Sequence, residues 1–235
     1  MKTIDVSLSP DLMHLYTVSD KTVVVVDILR ATSCMTTAFA HGIKGIIPVA
    51  DLKDCLALKS ALVHTAGERD GKKVDGFDFG NSPFEYMNPK LTGKLIAFTT
   101  TNGTQAIVKS HGARHIIIGS FLNLSAVVKY LQHRGDDILV VCAGWKGKFN
   151  LEDTLFAGAL VELLKNEFKS ACDAPLAAQY LYNTAKNDLV GFLKSSSHVQ
   201  RLARLGIERD IEFCLTPDQY NVVPYLEDDG VLRIK

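Results

Sequence analysis

The chain has no surplus of charge: 26 Lys and Arg stand against 26 Asp and Glu in 235 residues. A nucleic-acid or acidic-polymer partner would leave a basic excess, so neither is expected. No apolar run approaches the ~20 residues that cross a bilayer. The opening MKTIDVSLSP lacks the continuous apolar stretch of a signal peptide, so no membrane partner is expected either. Cysteines 34, 55, 142, 172 and 214 are odd in number and nowhere spaced C-x-x-C. That excludes a zinc knuckle or a disulfide framework and points to free thiols in a reducing cytoplasm. Linkers, low-complexity tracts and charge runs are also missing, so residues 1–235 read as a single domain.

What is present is organised around Thr22–Thr36, TVVVVDILRATSCMT. Val23 to Val26 are β-branched and apolar without alternation, as in a parallel strand covered on both faces. The run ends on Asp27, Arg30 follows, and Thr32 or Ser33 suits the N-cap of a helix through Ala38-Phe39-Ala40. A carboxylate and a guanidinium thus stand at the carboxyl end of a strand, where open α/β sheets bind ligands. The structural alternative has Asp27 capping the helix and Arg30 paired with it.

Ile4, Val6 and Leu8 alternate and predict a first strand over 3–8. Gly45–Val49 predicts another, pushed toward an edge by Pro48, and 51–64 has helical spacing. Lys94–Phe98 then opens a second unit: strand, Thr99–Gln105 turn, helix, strand. HGIKGII at 41 and HGARHII at 111 align at an offset of 70. Residues about 22–50 and about 92–120 therefore read as two copies of one strand-turn-helix-strand element. His41 and His111 suit a last helical turn, and the following glycines the left-handed position after it.

Between these units, Gly67–Glu85 is a long glycine-rich stretch without periodicity, of the kind that is functional when ordered. Ser82-Pro83-Phe84-Glu85 reads as a capping box, which assigns Glu85 to capping and leaves Glu68, Arg69 and Asp78 as site candidates. A third strand, Asp137–Cys142, runs into Ala143–Lys148. Asn150 suits the N-cap of a helix to about Phe168, with Glu152 and Asp153 in its first turn. Residues 174–193 and 197–205 predict helices, and 222–226 with 231–234 a hairpin around Asp229-Gly230. The fold class is α/β, with a largely parallel sheet built from the two related units, C-terminal helices and a hairpin.

If these strands are parallel, three polar turns open onto one rim. One offers Asp27 and Arg30. The next offers Thr100, Thr101, Asn102 and Gly103, and the third Gly144, Lys146 and Lys148 beside Glu152 and Asp153. Helix N-termini with glycine nearby bind phosphate. The oxygen-only set Asp27, Glu68, Asp78, Glu152 and Asp153 suits a hydrated hard cation, Mg²⁺ rather than zinc, although Glu152 and Asp153 equally suit the helix dipole. Arg30, Arg69, Lys146 and Lys148 suit a multiply charged anion. Phosphoryl transfer uses all of these together. Two sharper signatures fail: D-x-D has Leu29 at its second position, and C-x5-R has Lys148 for Arg, which is not an equivalent phosphate clamp.

Asp27-Ile-Leu-Arg-Ala-Thr-Ser33, Gly67-Glu-Arg69, Gly76–Pro83, Thr99–Thr104, Cys142-Ala-Gly144 and Leu151-Glu-Asp153 occur in this order along the chain. Together they resemble the 2-phosphosulfolactate phosphatase (ComB-like) family. Ser195–Leu202 is similar too, with Val199 where a glycine is expected. The resemblance implies a three-layer α/β/α fold. It also implies a Mg²⁺-dependent acid phosphatase that releases phosphate and sulfolactate from (2R)-2-phospho-3-sulfolactate, a step of coenzyme M synthesis and of bacterial sulfolactate formation. Asp27, Arg30 and Arg69 would be catalytic, and the partner a small polyanionic phosphorylated hydroxy acid; a homo-oligomer is compatible with the sequence. Two other classes stand beside it. One is an isochorismatase-like hydrolase in which Asp27 activates Cys142, although the strand-end lysine it needs is missing. The other is a non-catalytic small-anion binding protein.

Overall fold

The structure, a computed structural model, describes residues 2–234. Its strands are β1 Lys2–Ser7, β2 Lys21–Val26, β3 Gly45–Pro48, β4 Val63–Arg69, β5 Lys72–Lys73, β6 Leu95–Thr99, β7 His115–Gly119, β8 Asp137–Cys142, β9 Phe168–Ser170, β10 Tyr225–Leu226 and β11 Leu232–Arg233. Its helices are α1 Ala31–Ala40, α2 Leu52–Ala57, α3 Gly103–Lys109, α4 Leu124–Arg134, α5 Leu151–Leu164, α6 Asp173–Ala185, α7 Leu189–Leu193, α8 Ser197–Ala203 and α9 Glu208–Cys214. The sheet order is β5-β4-β6-β3-β11-β10-β7-β2-β8-β1-β9. β4, β6 and β3 form one parallel group, and β7, β2, β8, β1 and β9 another. The β10–β11 hairpin joins them through antiparallel contacts. Helices flank this large, mostly parallel sheet in the expected three-layer α/β/α arrangement. No helix among the described residues is long and apolar enough to cross a membrane.

The unbroken valines of β2 have a physical cause. Val24 and Val26 pack with Phe121, Leu155, Phe156 and Leu160 on one face. Val23 and Val25 face the other way, into the apolar cluster that holds Met35, Phe39 and Ile107. All four valines are fully buried, so the strand has no wet face to alternate toward. The segments 22–50 and 92–120 cross over one another. β2 pairs with β7 and β3 with β6 in equivalent register, Val23 opposite Ile116 and Ile96 opposite Ile46. Gly42 and Gly112 follow the two helices at φ of +84° and +90°, where a side chain is disfavoured.

Several local expectations are corrected. β3 is not at an edge. Its Pro48 is tolerated because β11 contacts β3 only at Ile46, so no ladder donor is missing. The helix expected over 51–64 stops at Ala57, because Leu58 and Leu62 face solvent, and the chain continues as β4. The glycine-rich stretch begins as the β4–β5 hairpin, with Asp70 and Gly71 at φ of 54° and 85° in its turn. No capping box forms at Ser82: Glu85 accepts the Gly80 N–H (2.8 Å) and Ser82 Oγ donates to Asp210 (3.1 Å). The helix expected over 174–193 is split, because Asp188 accepts the Gly191 N–H (2.8 Å) and starts α7 anew.

At Gly158, α5 meets α6 so closely that an added Cβ would overlap the carbonyl oxygen of Ala178. Gly158→Ala should push the helices apart and destabilise the protein by about 1–3 kcal/mol, lowering Tm by several degrees. Thermal denaturation checks this, and an unchanged Tm would mean the helices separate at no cost.

Candidate active site

The turns after β2, β6 and β8 converge on one small cavity, to which they contribute Asp27 with Arg30, Asn102 and Trp145 respectively. Carboxylates hold these turns together. Asp153, in the first turn of α5, accepts the N–H groups of Ile28 (2.8 Å) and Gly144 (3.0 Å). Glu68, near the end of β4, accepts those of Gly71 (2.7 Å) and Thr101 (2.9 Å). Thr32 and Ser33 do not cap α1, which already begins at Ala31. Instead Thr32 Oγ1 accepts the Asp27 N–H and donates to the Asp27 carbonyl, while Ser33 Oγ donates to the Ile28 carbonyl. These bonds fix the Asp27 turn from behind. A Cβ on Gly103 would lie 2.8 Å from Asp27 Oδ2, so only glycine lets α3 start against that carboxylate.

Asp27, Glu68, Glu152 and Asp153 are all buried, the last two at 0% exposure. Burial pushes the Asp27 carboxyl up to about 7; nearby His198 opposes this shift and Glu68 adds to it. Asp153 is pushed well above the usual carboxylate range by burial, then by Asp27 and Glu152. Arg30 does not neutralise Asp27. It is ion-paired with Asp210 of α9 and donates to the Gly71 carbonyl (3.2 Å). Asp27 receives only a long bond from Ala31 N–H (3.4 Å), so capping does not account for it. His198 Nδ1 is paired with Glu152 Oε1. Arg201 lies flat over Trp145, its guanidinium carbon 3.4 Å from the ring centroid.

Five buried side-chain polar atoms have no hydrogen-bond partner among the described residues: Asn81 Oδ1, Thr101 Oγ1, Asn150 Oδ1, Glu152 Oε2 and Arg201 Nε. Asn81 and Arg201 line the cavity, Glu152 stands behind the lining His198, and Thr101 adjoins the lining Asn102. Orphaned buried groups are rare in folded proteins, and a set of them in one place marks where a ligand completes the bonding. The oxygens suit a hard cation. No three His, Cys, Asp or Glu side chains among the described residues form a ready cation cage. Mg²⁺ does not require one, since it keeps waters and takes one or two carboxylates together with substrate oxygens.

Of the residues expected from sequence, Asp27, Arg30, Glu68 and Asn102 line the cavity, with Glu152 and Asp153 directly behind. Thr100 is buried, with its hydroxyl on the Thr104 N–H (3.2 Å). Gly144, at φ +59°, passes too close to the Lys148 carbonyl for a side chain. Lys146 is exposed at the rim, paired with Asp70 (3.1 Å). Arg69 and Lys148 do not line the cavity, and Arg69 donates to the Glu68 carbonyl (2.7 Å) and Thr99 Oγ1 (3.0 Å). Asp78 is not brought to the site. It pairs with Lys59 (2.6 Å) and accepts the Thr65 N–H (2.9 Å).

Asn81, Trp145, His198 and Arg201 line the cavity without having been singled out by spacing. The available signals were the similarity of Gly76–Pro83 and of Ser195–Leu202, and the single tryptophan of the chain. The Val199 N–H is taken by Ser196 Oγ (3.1 Å), so a side chain at that position obstructs no anion-binding N–H. Cys142 is fully buried off the cavity, its thiol pushed well up by burial and then by Asp153. This is the opposite of an activated nucleophile.

Residues 7–229 match the family model described as 2-phosphosulpholactate phosphatase. Three relatives, each named probable 2-phosphosulfolactate phosphatase, are similar along almost the whole chain. The protein from Thermotoga maritima is 47% identical over 92% of this chain and 92% of its own. That from Caldanaerobacter subterraneus subsp. tengcongensis is 44% identical over 91% and 90%. That from Clostridium acetobutylicum is 39% identical over 97% and 99%. The chain belongs to the 2-phosphosulfolactate phosphatase family, a family of phosphoric monoester hydrolases.

The raised Asp27 has a consequence for stability. Its folded pKa, about 7, lies above the ordinary 3.8, so the folded state holds a proton that the unfolded state has lost. Stability should therefore fall as pH rises from about 4 to 7, with the full penalty present above 7. In EDTA at pH 8, Asp27→Asn should melt higher than wild type, and the gap should shrink toward pH 4. A lower Tm for the variant at pH 8 would make Asp27 a structural group instead.

Proposed function

We propose that the chain hydrolyses (2R)-2-phospho-3-sulfolactate, or a similar phosphorylated hydroxy acid, to sulfolactate and phosphate with Mg²⁺. The observation that carries this reading is the cavity itself. Buried carboxylate oxygens and guanidinium donors face one another there, and atoms of both kinds are left unsatisfied. The names of the relatives supply the substrate.

Asp27, Glu68 and the free Oε2 of Glu152 would hold Mg²⁺. Bound there, the ion would neutralise phosphoryl oxygens and relieve the repulsion among these carboxylates. The remaining work falls to side chains of the chain itself. Arg30, fixed by Asp210, keeps donors for the phosphoryl group. Asn81 and Asn102 offer amides that orient the ester. Glu152 holds His198 by Nδ1, leaving Nε2 as the ring nitrogen that hands a proton to the departing hydroxyl oxygen. Seven of the eleven residues that line the cavity are buried, which restricts the access of water. Five unpaired cysteines, four of them buried, support a cytoplasmic setting, and sulfolactate release there would serve coenzyme M synthesis or sulfolactate formation.

Purified protein should release phosphate from phosphosulfolactate with Mg²⁺, stop in EDTA and recover when Mg²⁺ is restored. Asp27→Asn should abolish turnover with an unchanged circular dichroism spectrum, and Cys142→Ala should retain near-wild-type activity. EDTA-insensitive turnover, or full activity in Asp27→Asn, would overturn the reading. His198→Asn should lower kcat by about a hundredfold or more while leaving KM nearly unchanged, as loss of a proton donor requires. An equal rise in KM with kcat intact would make His198 a binding group only.

A further inference from the structure

The cations at the cavity are not equally available. Arg30 already uses part of its donor set on Asp210 and the Gly71 carbonyl, and Lys146 is paired with Asp70. Arg201 has no hydrogen-bond partner among the described residues, and its Nε is buried. The guanidinium is instead laid flat on Trp145, whose ring also has Lys146 Nζ at 5.0 Å. Stacking fixes the plane of the guanidinium and leaves its edge of N–H donors free. An unpaired guanidinium with a buried Nε at a cavity wall is accounted for by an anion that arrives with the ligand.

Which anion follows from what surrounds each part of the cavity. Asp27, Glu68 and Glu152 repel any anion that does not bring or share a cation. A phosphate, doubly charged and a strong ligand for hard cations, belongs at that end. Arg201, stacked on Trp145 beside Leu202, is a flat cation bordered by apolar surface, and it feels Glu152, Asp70 and Glu68 only as through-space charges, with no hydrogen bond to any of them. A sulfonate suits such a surface: it is singly charged, weakly basic and weakly hydrated, and a poor ligand for hard cations.

Resting on the phosphatase reading above, we propose that Arg201, oriented by Trp145, receives the sulfonate of the substrate and sets the preference for sulfonated phosphoesters. The substrate carboxylate is the competing occupant, and the test separates the two. The comparison is kcat/KM on 2-phospho-3-sulfolactate against 2-phospholactate, which keeps the carboxylate and lacks the sulfonate. The preference for the sulfonated ester should fall about ten- to a hundredfold in Arg201→Gln. Arg201→Lys, which keeps the charge without the planar fork, should recover only part of it and guards against a Gln variant that does not fold. Trp145 is the only tryptophan, so sulfolactate should change wild-type fluorescence saturably, and Arg201→Gln should lose that response. An unchanged preference in both variants, whether both substrates suffer equally or neither does, overturns the proposal. If wild type releases phosphate from neither ester, the phosphatase reading fails. The subsite is then decided by fluorescence alone, a saturable Arg201-dependent response upholding it and none overturning it.

Discussion

Asp153 reaches from the first turn of α5 to two backbone N–H groups in different crossovers, those of Ile28 and Gly144. Strand pairing sets the height at which β2 and β8 end, but it does not say where the chain goes next. The carboxylate does. At 0% exposure no water competes for the two donors, so the turns after both strands are held to one side chain. Without it two buried N–H groups would be orphaned, at about 1–3 kcal/mol each, and Asp27, next to Ile28, would lose its bearing. The same carboxylate is itself pushed up by burial and by Asp27 and Glu152. The group that assembles the site is thus destabilised by the groups it assembles, and a cation at Asp27 and Glu152 would relieve both.

This makes the cavity a place where folding and function pull apart. Elsewhere apolar layers cover both faces of β2. At the strand ends it gathers four buried carboxylates, while Arg30 is paired with Asp210 and not with any of them. A sequence selected for stability alone would neutralise such a cluster, and sites of this kind are retained because binding offsets their cost.

How much of this was legible in the sequence depended on whether a signal was local. Unalternating valines gave a doubly covered strand, and His-Gly gave two helix ends, because both effects act within a few residues. The β4–β5 hairpin carried the same Asp-Gly signal at 70–71 as the turn at 229–230, but the glycines around it read as one loop. Asp78 lies away from the cavity for a non-local reason. Asp78 and Phe79 both donate backbone N–H to Thr65, which draws this stretch back along β4. Three residues of strand from Glu68 is about 10 Å, too far for a shared cation. Arg201 and His198 were recognisable only by resemblance, since nothing in the spacing of α8 tells which of its faces meets the strand ends. That is decided by packing of the C-terminal helices.

The crossed units 22–50 and 92–120 explain why the carboxylate sits on one of them only. Their strands pair in equivalent register, so their turns arrive at the same rim and their helices begin side by side. At that meeting point a Cβ on Gly103 would stand 2.8 Å from Asp27 Oδ2 and 2.9 Å from the Ala31 Cβ. Two turns that close cannot both project a side chain inward. The first supplies the carboxylate at Asp27. The second supplies the space for it at Gly103, an amide at Asn102, and the Thr101 N–H that anchors Glu68. Near-symmetric backbone paths therefore lead to an asymmetric site, because a buried carboxylate needs a neighbour small enough to lie against.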